Sequence, residues 1–292
     1  MPDKHLPIFR IQDFNRQDPH GQYFYFNRFS DHLQAHQFIQ RPHKHNFFIL
    51  LLLTNGSGTH TIDFVSYPVR PNTVFFLSPG QVHHWQLSTD TEGYIMFFSQ
   101  EFYALGHPHK KLYSFPFFSA LLHRPYLEVA AAEQMQLIGI IQSIEQEHAG
   151  QLAQKNDMLR DYLDILLILL MRQYQAQNTT NGIILTGLAQ WHDLESLVDQ
   201  HYREHKPVSF YAEKLHLTAK QLNDTGKRIM GKTITELVQD RVLLEARRLL
   251  VHSHLTVSQV AAELGYFDNS YFSRFFKKHI GQTPEQFRAA NK

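Results

Sequence analysis

At 292 residues, with 43% hydrophobic and 19% charged side chains, the chain has the composition of folded globular protein rather than disordered polymer, and its length predicts two domains. The absence of cysteine excludes disulfides and thiolate metal sites and is compatible with the cytoplasm. A net charge of +1 gives no overall attraction to nucleic acid, but its distribution is uneven: residues 189–292 carry 15 Lys/Arg against 12 Asp/Glu (+3), and the rest carry 13 against 15 (−2).

The N-terminal MPDKHLPIFRIQDF lacks the apolar core of a secretion signal. The longest apolar runs, 47–53 and 165–171, are too short to cross a bilayer, so no membrane partner is expected. Residues 22–26 predict an edge strand. The continuous apolar run 47–54 predicts a strand buried on both faces. Asn55-Gly-Ser-Gly58 predicts a hairpin loop returning along 59–65, and Pro68, Pro71 and Asn72 a further turn. Strands over 73–78, 82–87 and 94–99, divided by Pro79-Gly80 and by 89–93, complete a set spaced as in a sandwich or small barrel. Because facing alternates along a strand, one of His84 and Trp85 should point inward.

The His-, Lys- and Pro-rich stretch 106–116 predicts a bridge to the helices. A first helix is predicted over 127–148, with apolar positions at 127, 131, 135, 138, 141 and 144. A second, over 156–175, carries Leu159, Leu163, Leu166 and Leu170 at heptad-like spacing, a stripe that suits packing on the same chain or on a second copy. The polar stretch 177–182 predicts a linker.

Beyond it, a unit occurs twice. In the second copy Thr256 and Gln259 have capping-box spacing, Val257, Val260, Ala261 and Leu264 mark an apolar face, and Gly265 stops the helix. Asp268 caps a second helix whose expected inner side is Tyr271/Phe272, Phe275 and Phe276. Asn269, Ser270, Ser273, Arg274, Lys277 and Lys278 are expected on its outer side, and Thr283-Pro284 opens a third helix. In the first copy Val208, Ser209, Ala212 and Leu215 match Val257, Ser258, Ala261 and Leu264; Leu222, Lys227, Gly231 and Thr233 match Phe272, Lys277, Gly281 and Thr283. A helix opened by Thr233/Glu236 connects the copies. Two short helices around a turn, the second with polar and basic outward residues, describe a helix-turn-helix.

The segments LLEARRLL, VSQVAAELGY and DNSYFSRFFKKHIGQTPEQFR resemble the DNA-binding domain of AraC/XylS-type bacterial transcription regulators, over about a hundred residues. RPHKHNFFILLLLTNGSGTHTI and FFLSPGQVHHW resemble the cupin-like sensor domain often found before it. The resemblance implies an α+β multidomain protein. Residues 1–177 would form a cupin-like sensor and dimerisation domain, with the barrel over 20–100 and helices over 120–177. Residues 178–187 would be a linker, and 188–292 an all-α reader with helix-turn-helix units at 207–230 and 256–279.

It further implies double-stranded operator DNA, RNA polymerase and a small-molecule effector as partners, a homodimer through the 156–175 helix, and no catalytic activity or cofactor. In the first unit Thr218 and Gln221 form the cap, with Gln221 also counted among the DNA-binding residues, and the family's base-facing positions fall on Lys220, Asn223 and Asp224. In the second they fall on Asn269, Ser270, Ser273 and Arg274. These side chains can pair with base edges, Arg274 bidentately with guanine, while Lys227, Lys277 and Lys278 suit phosphates. Asp224 stands in the first copy where the second has Arg274, and Gly226 where it has Phe276, so the second head is expected to supply most of the affinity. Metal-binding cupins carry His-x-His, a Glu and a later His. His43, His45 and His83 match, but the Glu position falls in the apolar run 47–51. These histidines, with Trp85, are expected to line an effector site. The alternatives are a metal-dependent cupin enzyme using the three histidines, and an architectural DNA binder without an effector.

Overall fold

The computed structural model of the chain describes residues 6–15, 23–108, 110–119, 125–178 and 188–291. It divides into two compact units, Pro7–Ile183 and Ile184–Lys292, the latter with Met1–Leu6. The expected linker is helical at Gln177 and Asn178, and its remainder lies outside the described residues.

The first unit contains β1 (Ile8–Phe9), β2 (Phe24–Arg28), α1 (Phe29–Ala35), β3 (Lys44–His45), β4 (Phe48–Asn55), β5 (Gly58–Ile62), β6 (Val65–Val69), β7 (Thr73–Leu77), β8 (His83–Leu87), β9 (Glu92–Phe98), α2 (Gln100–Gly106), β10 (Tyr126–Glu128), α3 (Ala131–Ala149) and α4 (Lys155–Asn178). An antiparallel sheet runs β10-β7-β4-β9-β2, a second runs β6-β5-β8, and β1 pairs in parallel with β3. A bridge between His43 and His83 ties the β3 end to β8.

Strand β4 is buried on both faces as its composition predicts. Phe48, Leu50 and Leu52 pack toward α2, α3 and α4, while Ile49, Leu51 and Leu53, with Phe47 just before the strand, pack toward the opposing sheet. Four local expectations fail. Asn55–Gly58 is a corner between the sheets, not a hairpin, because β5 pairs with β6 and β8 and not with β4. The predicted strand 59–65 is broken at Asp63 and Phe64, both at positive φ. Pro68 lies within β6, an edge strand where its missing N–H is tolerated. Leu127 belongs to β10, which joins the sheet beside β7.

Helix α3 is buried through Leu137, Ile141 and Ile144, and Met135 is 80% exposed, so its face is rotated from the expected one. On α4, Leu159, Leu163, Leu166, Leu167 and Leu170 all enter the same core as the sheet. The stretch after α2 contributes Leu112, Phe115, Phe117 and Phe118 to that core and acts as the expected bridge. Asp164 of α4 accepts hydrogen bonds from Tyr103 Oη at 2.5 Å and Lys110 Nζ at 2.7 Å, which pins α4 to α2.

The second unit is helical: α5 (Leu188–His201), α6 (Val208–Lys214), α7 (Ala219–Met230), α8 (Ile234–His252), α9 (Val257–Glu263), α10 (Asn269–Ile280) and α11 (Pro284–Asn291). The repeat is visible in element lengths: α6 and α9 have 7 residues each, α7 and α10 have 12 each. Capping boxes form at Thr218/Gln221, Thr233/Glu236 and Thr256/Gln259, where each Thr hydroxyl accepts from the backbone N–H three residues on. Gly231 and Gly281, at φ 68° and 81°, end the two reading helices. Arg288 of α11 donates to the Leu250 and Leu255 carbonyls and ties α11 to the end of α8.

Candidate nucleic-acid interface and sensor site

Each reading helix buries one side and exposes the other. On α10, Phe272 and Phe276 are fully buried, while Asn269, Ser270, Arg274, Lys277 and Lys278 are exposed and Ser273 is half-buried. Tyr271, expected inside, is 57% exposed, and Phe275 is half-buried. Tyr271 lies about 100° around the helix from Phe272, which together with Phe276 defines the buried face, so its ring projects outward. Asp268 caps the helix, its Oδ1 accepting from Ser270 N and Tyr271 N at 2.7 and 3.2 Å.

On α7, Leu222 and Gly226 are buried, and Lys220, Gln221, Asp224 and Lys227 are exposed. Gln221 turns back to its cap, its Oε1 accepting from Thr218 N and Thr218 Oγ1 at 2.9 and 3.0 Å. Asn223 departs from the expected base-reading role. It is half-buried, and its Oδ1 accepts from Ile234 N at 3.0 Å, satisfying an otherwise orphan donor at the start of α8. With that oxygen engaged, the bidentate adenine contact is not available. In the second copy the matching residue is Ser273, and the position that matches Ile234 is Pro284, which has no N–H to satisfy. Asn223→Ala should therefore cost about 1 kcal/mol of stability, while Ser273→Ala should be near neutral. Equal losses in urea unfolding would sink this reading.

Gly226 is also not the simple weakness its sequence suggests. A Cβ there would lie 2.7 Å from the Lys232 carbonyl oxygen and 3.0 Å from Ile234 Cδ1. The first head closes tightly on the start of α8 where the second inserts Phe276.

In the first unit the three expected histidines converge, with a fourth, His60 of β5, that sequence reasoning missed. Ring centroids lie 4.3 Å apart for His43–His83, 5.1 Å for His45–His83 and 5.3 Å for His60–His83. Trp85 lies 5.2 Å from His83 and stands directly across the strand pair from His60. Alternation resolves as expected for this stretch: His83 and Trp85 point in, and His84 is half-exposed. The same rule in β5, where positions 60 and 62 are buried, is the signal that would have found His60.

His43 Nδ1 donates to the Arg41 carbonyl at 2.9 Å and His45 Nδ1 to the Phe47 carbonyl at 2.6 Å. His60 Nε2 and His83 Nδ1 are 3.1 Å apart. His45 Nε2, His60 Nδ1, His83 Nε2 and Trp85 Nε1 are buried without a hydrogen-bond partner among the described residues. Burial, with repulsion from neighbouring imidazoles, holds His43 down to about 4, His45 and His60 to about 3, and His83 well below its usual value. Neutral imidazoles and an indole N–H thus offer unpaired hydrogen-bonding groups inside an apolar interior, the chemistry of a small polar-ligand site. Among the described residues no group of three or more His, Cys, Asp or Glu is arranged to hold a metal ion. No helix among them is long and apolar enough to cross a membrane.

Residues 23–155 match the family described as the AraC-like ligand binding domain, and residues 211–290 match the helix-turn-helix domain family. The chain is 22% identical to the HTH-type transcriptional activator RhaR of Escherichia coli over 256 residues, which covers 87% of this chain and 89% of the relative. Among solved structures, ToxT of Vibrio cholerae is 14% identical with a TM-score of 0.40, covering 91% of this chain and 95% of that one. The DNA-binding domain of AdpA, solved with a target DNA, is 22% identical with a TM-score of 0.31, covering 34% of this chain and 91% of that domain.

Proposed function

Because the chain belongs to the AraC/XylS family of transcription regulators, we propose that it acts as an effector-responsive transcriptional activator. It would read two adjacent major-groove segments of operator DNA from one side of the duplex. The observation that carries the reading is the duplicated helix-turn-helix joined by one continuous helix. The 19 residues of α8 span about 28 Å at 1.5 Å per residue, close to the roughly 34 Å between successive major-groove faces. Base reading rests with Lys220 and Asp224 on α7 and with Asn269, Ser270, Ser273 and Arg274 on α10. Lys227, Lys277 and Lys278 meet phosphates.

Arg274 is the guanine reader, exposed on α10 with Ser270 one turn before it. Arg274→Ala should weaken operator binding by about 1–3 kcal/mol, and Lys220→Ala by less. The measurement is fluorescence anisotropy across a salt series. A larger loss for Lys220→Ala would overturn the assignment of α10 as the dominant head.

The sensor site is the buried group His43, His45, His60, His83 and Trp85, and its ligand is a small molecule that hydrogen-bonds the unpaired ring nitrogens. Binding there shifts the population of DNA-competent protein. RNA polymerase is the partner through which activation is exerted, and the setting is the cytoplasm, where the operator lies.

Dimerisation uses the outer face of α4, not the expected Leu159/163/166/170 stripe, which the chain's own core consumes. That outer face carries Met158 and Ile165, 40% and 47% exposed, with the half-buried Tyr162 and Leu169 at intervals of four, three and four residues. Ile165→Glu should convert the dimer to monomer in sedimentation velocity without changing the far-UV spectrum. Persistence of the dimer would place the interface elsewhere.

A further inference from the structure

Between α10 and the start of α8 the second unit holds a groove of about 610 Å³. One wall is aromatic: Tyr266 and Phe267 from the turn of the second helix-turn-helix, and Tyr271 and Phe275 from α10. The other is polar, with Thr235 and Gln239 of α8 and Lys206 ahead of α6. Phe267 is 107% exposed, so no described residue covers its ring, and Tyr271 is 57% exposed beside it. The rings behind them are fixed in place. Tyr266 lies 4.4 Å from His205, 5.3 Å from Phe272, 5.6 Å from Phe275 and 6.0 Å from Tyr271, by centroid, and His205 Nε2 donates to the Leu264 carbonyl at 2.9 Å. A rigid aromatic wall in water, continuous with a reading helix, has the form of a contact surface rather than of a packing fault.

We propose that this groove takes the sugar–phosphate strand of the operator where it crosses between the two major-groove segments. Phe267 and Tyr271 would lie against deoxyribose, and Lys206 and Thr235 would face phosphate. The inference rests on the reading of α10 as a base-reading helix. Continuity with that helix selects the occupant. Tyr271 directly follows the outward Ser270, and the opposite wall is the first turns of α8, which leads straight from the first reading head. Any duplex that engages both heads must pass a strand over the space between them.

A sugar–phosphate strand alternates apolar rings with anionic groups, and the groove pairs an aromatic wall with a cationic, hydroxyl-bearing one. Lys206 Nζ currently sits 3.2 Å from Glu204 and over the Phe210 ring, contacts a phosphate can replace. Asp268, the one acidic residue lining the groove, directs its Oδ1 to the Ser270 and Tyr271 amides, which moderates its repulsion of phosphate.

The test uses the full chain and a 40-bp duplex that it selects from a random pool, with binding read by anisotropy between low and moderate salt. Phe267→Ser should weaken binding by about five- to tenfold with the salt slope unchanged. Lys206→Gln should reduce the slope of log K against log salt by about one. Arg274→Ala is the reference, and thermal melts check that Phe267→Ser, which removes no packed contact, leaves the fold intact. If both groove variants bind like the parent while Arg274→Ala is weakened, the strand does not enter the groove and a protein partner is left as its occupant. If Arg274→Ala also binds normally, the reading of α10 itself has failed, and the proposal falls with it.

Discussion

Replacing Gly265 by alanine is expected to disable the second reading head. Gly265 sits at φ +80° in the turn between α9 and α10, and a Cβ placed on it would stand 1.9 Å from the Arg203 carbonyl oxygen and 3.3 Å from His205 Nε2. The backbone conformation alone costs a non-glycine residue about 1–2 kcal/mol. The collision is with backbone, so relieving it must move the turn off the segment that carries Arg203 and His205, breaking the His205–Leu264 hydrogen bond. A total loss of at least about 3 kcal/mol is expected, seen in calorimetry as a transition lowered by more than about 10 °C, with specific DNA binding abolished.

The first copy supplies the control. There the equivalent position is His216, exposed and at φ 55°. His216→Gly should remove backbone strain and raise stability by up to about 1 kcal/mol. A Gly265→Ala protein that melts with the parent would show that the turn is not packed as described.

Acid should unfold the sensor unit. The usual imidazole value of 6.5 applies in the unfolded chain, whereas burial lowers His43 to about 4 and His45 and His60 to about 3. Above pH 6.5 neither state binds protons at these sites, and stability does not vary with pH on their account. Below it the unfolded chain takes up protons that the folded one refuses, so stability falls as pH drops from 6.5 toward 3–4. Each such imidazole removes about 1.4 kcal/mol per pH unit. Three or four acting together remove about 8–11 kcal/mol over two pH units, enough to exhaust most of a marginal stability of about 5–15 kcal/mol. The two tryptophans make the event separable, since Trp85 lies in this unit and Trp191 in the other. A Trp191→Phe protein should lose its buried-tryptophan emission near pH 5, and adding His60→Phe should make the transition less steep by about one proton. Native emission at pH 4 would contradict the burial of the cluster.

What the sequence made legible was local. Helix caps at Thr218, Thr233, Thr256 and Asp268 are set by residues three apart or fewer, and all four form. The double burial of β4 follows from its unbroken apolar run. What it hid depends on distant partners. Gly-rich chemistry at 55–58 looks the same in a hairpin and in a corner, and the pairing of β5 with β8 decides between them. His60 looked like a strand residue until it was placed opposite Trp85. Asn223 had the right type and place for reading adenine, and its engagement depends on Ile234 N, eleven residues on. Tyr271 looked apolar and inward because adjacent aromatic residues leave the centre of a helix face open, and the packing of Phe272 and Phe276 decides it.

The double-sided burial of β4 also limits how the sensor can respond. Alternate side chains of this one strand enter the cluster that holds Trp85 and the cluster that holds the α3 and α4 leucines, so the two compartments are separated by a partition one peptide thick. Sliding β4 by one residue would exchange every side chain between them and expel both sets from their cores. The partition can therefore bow or tilt, but it cannot slip. On the proposed reading of the histidine group as the effector site, a ligand there would act on the helices as pressure on a diaphragm, passed to the helical side through Phe48, Leu50 and Leu52.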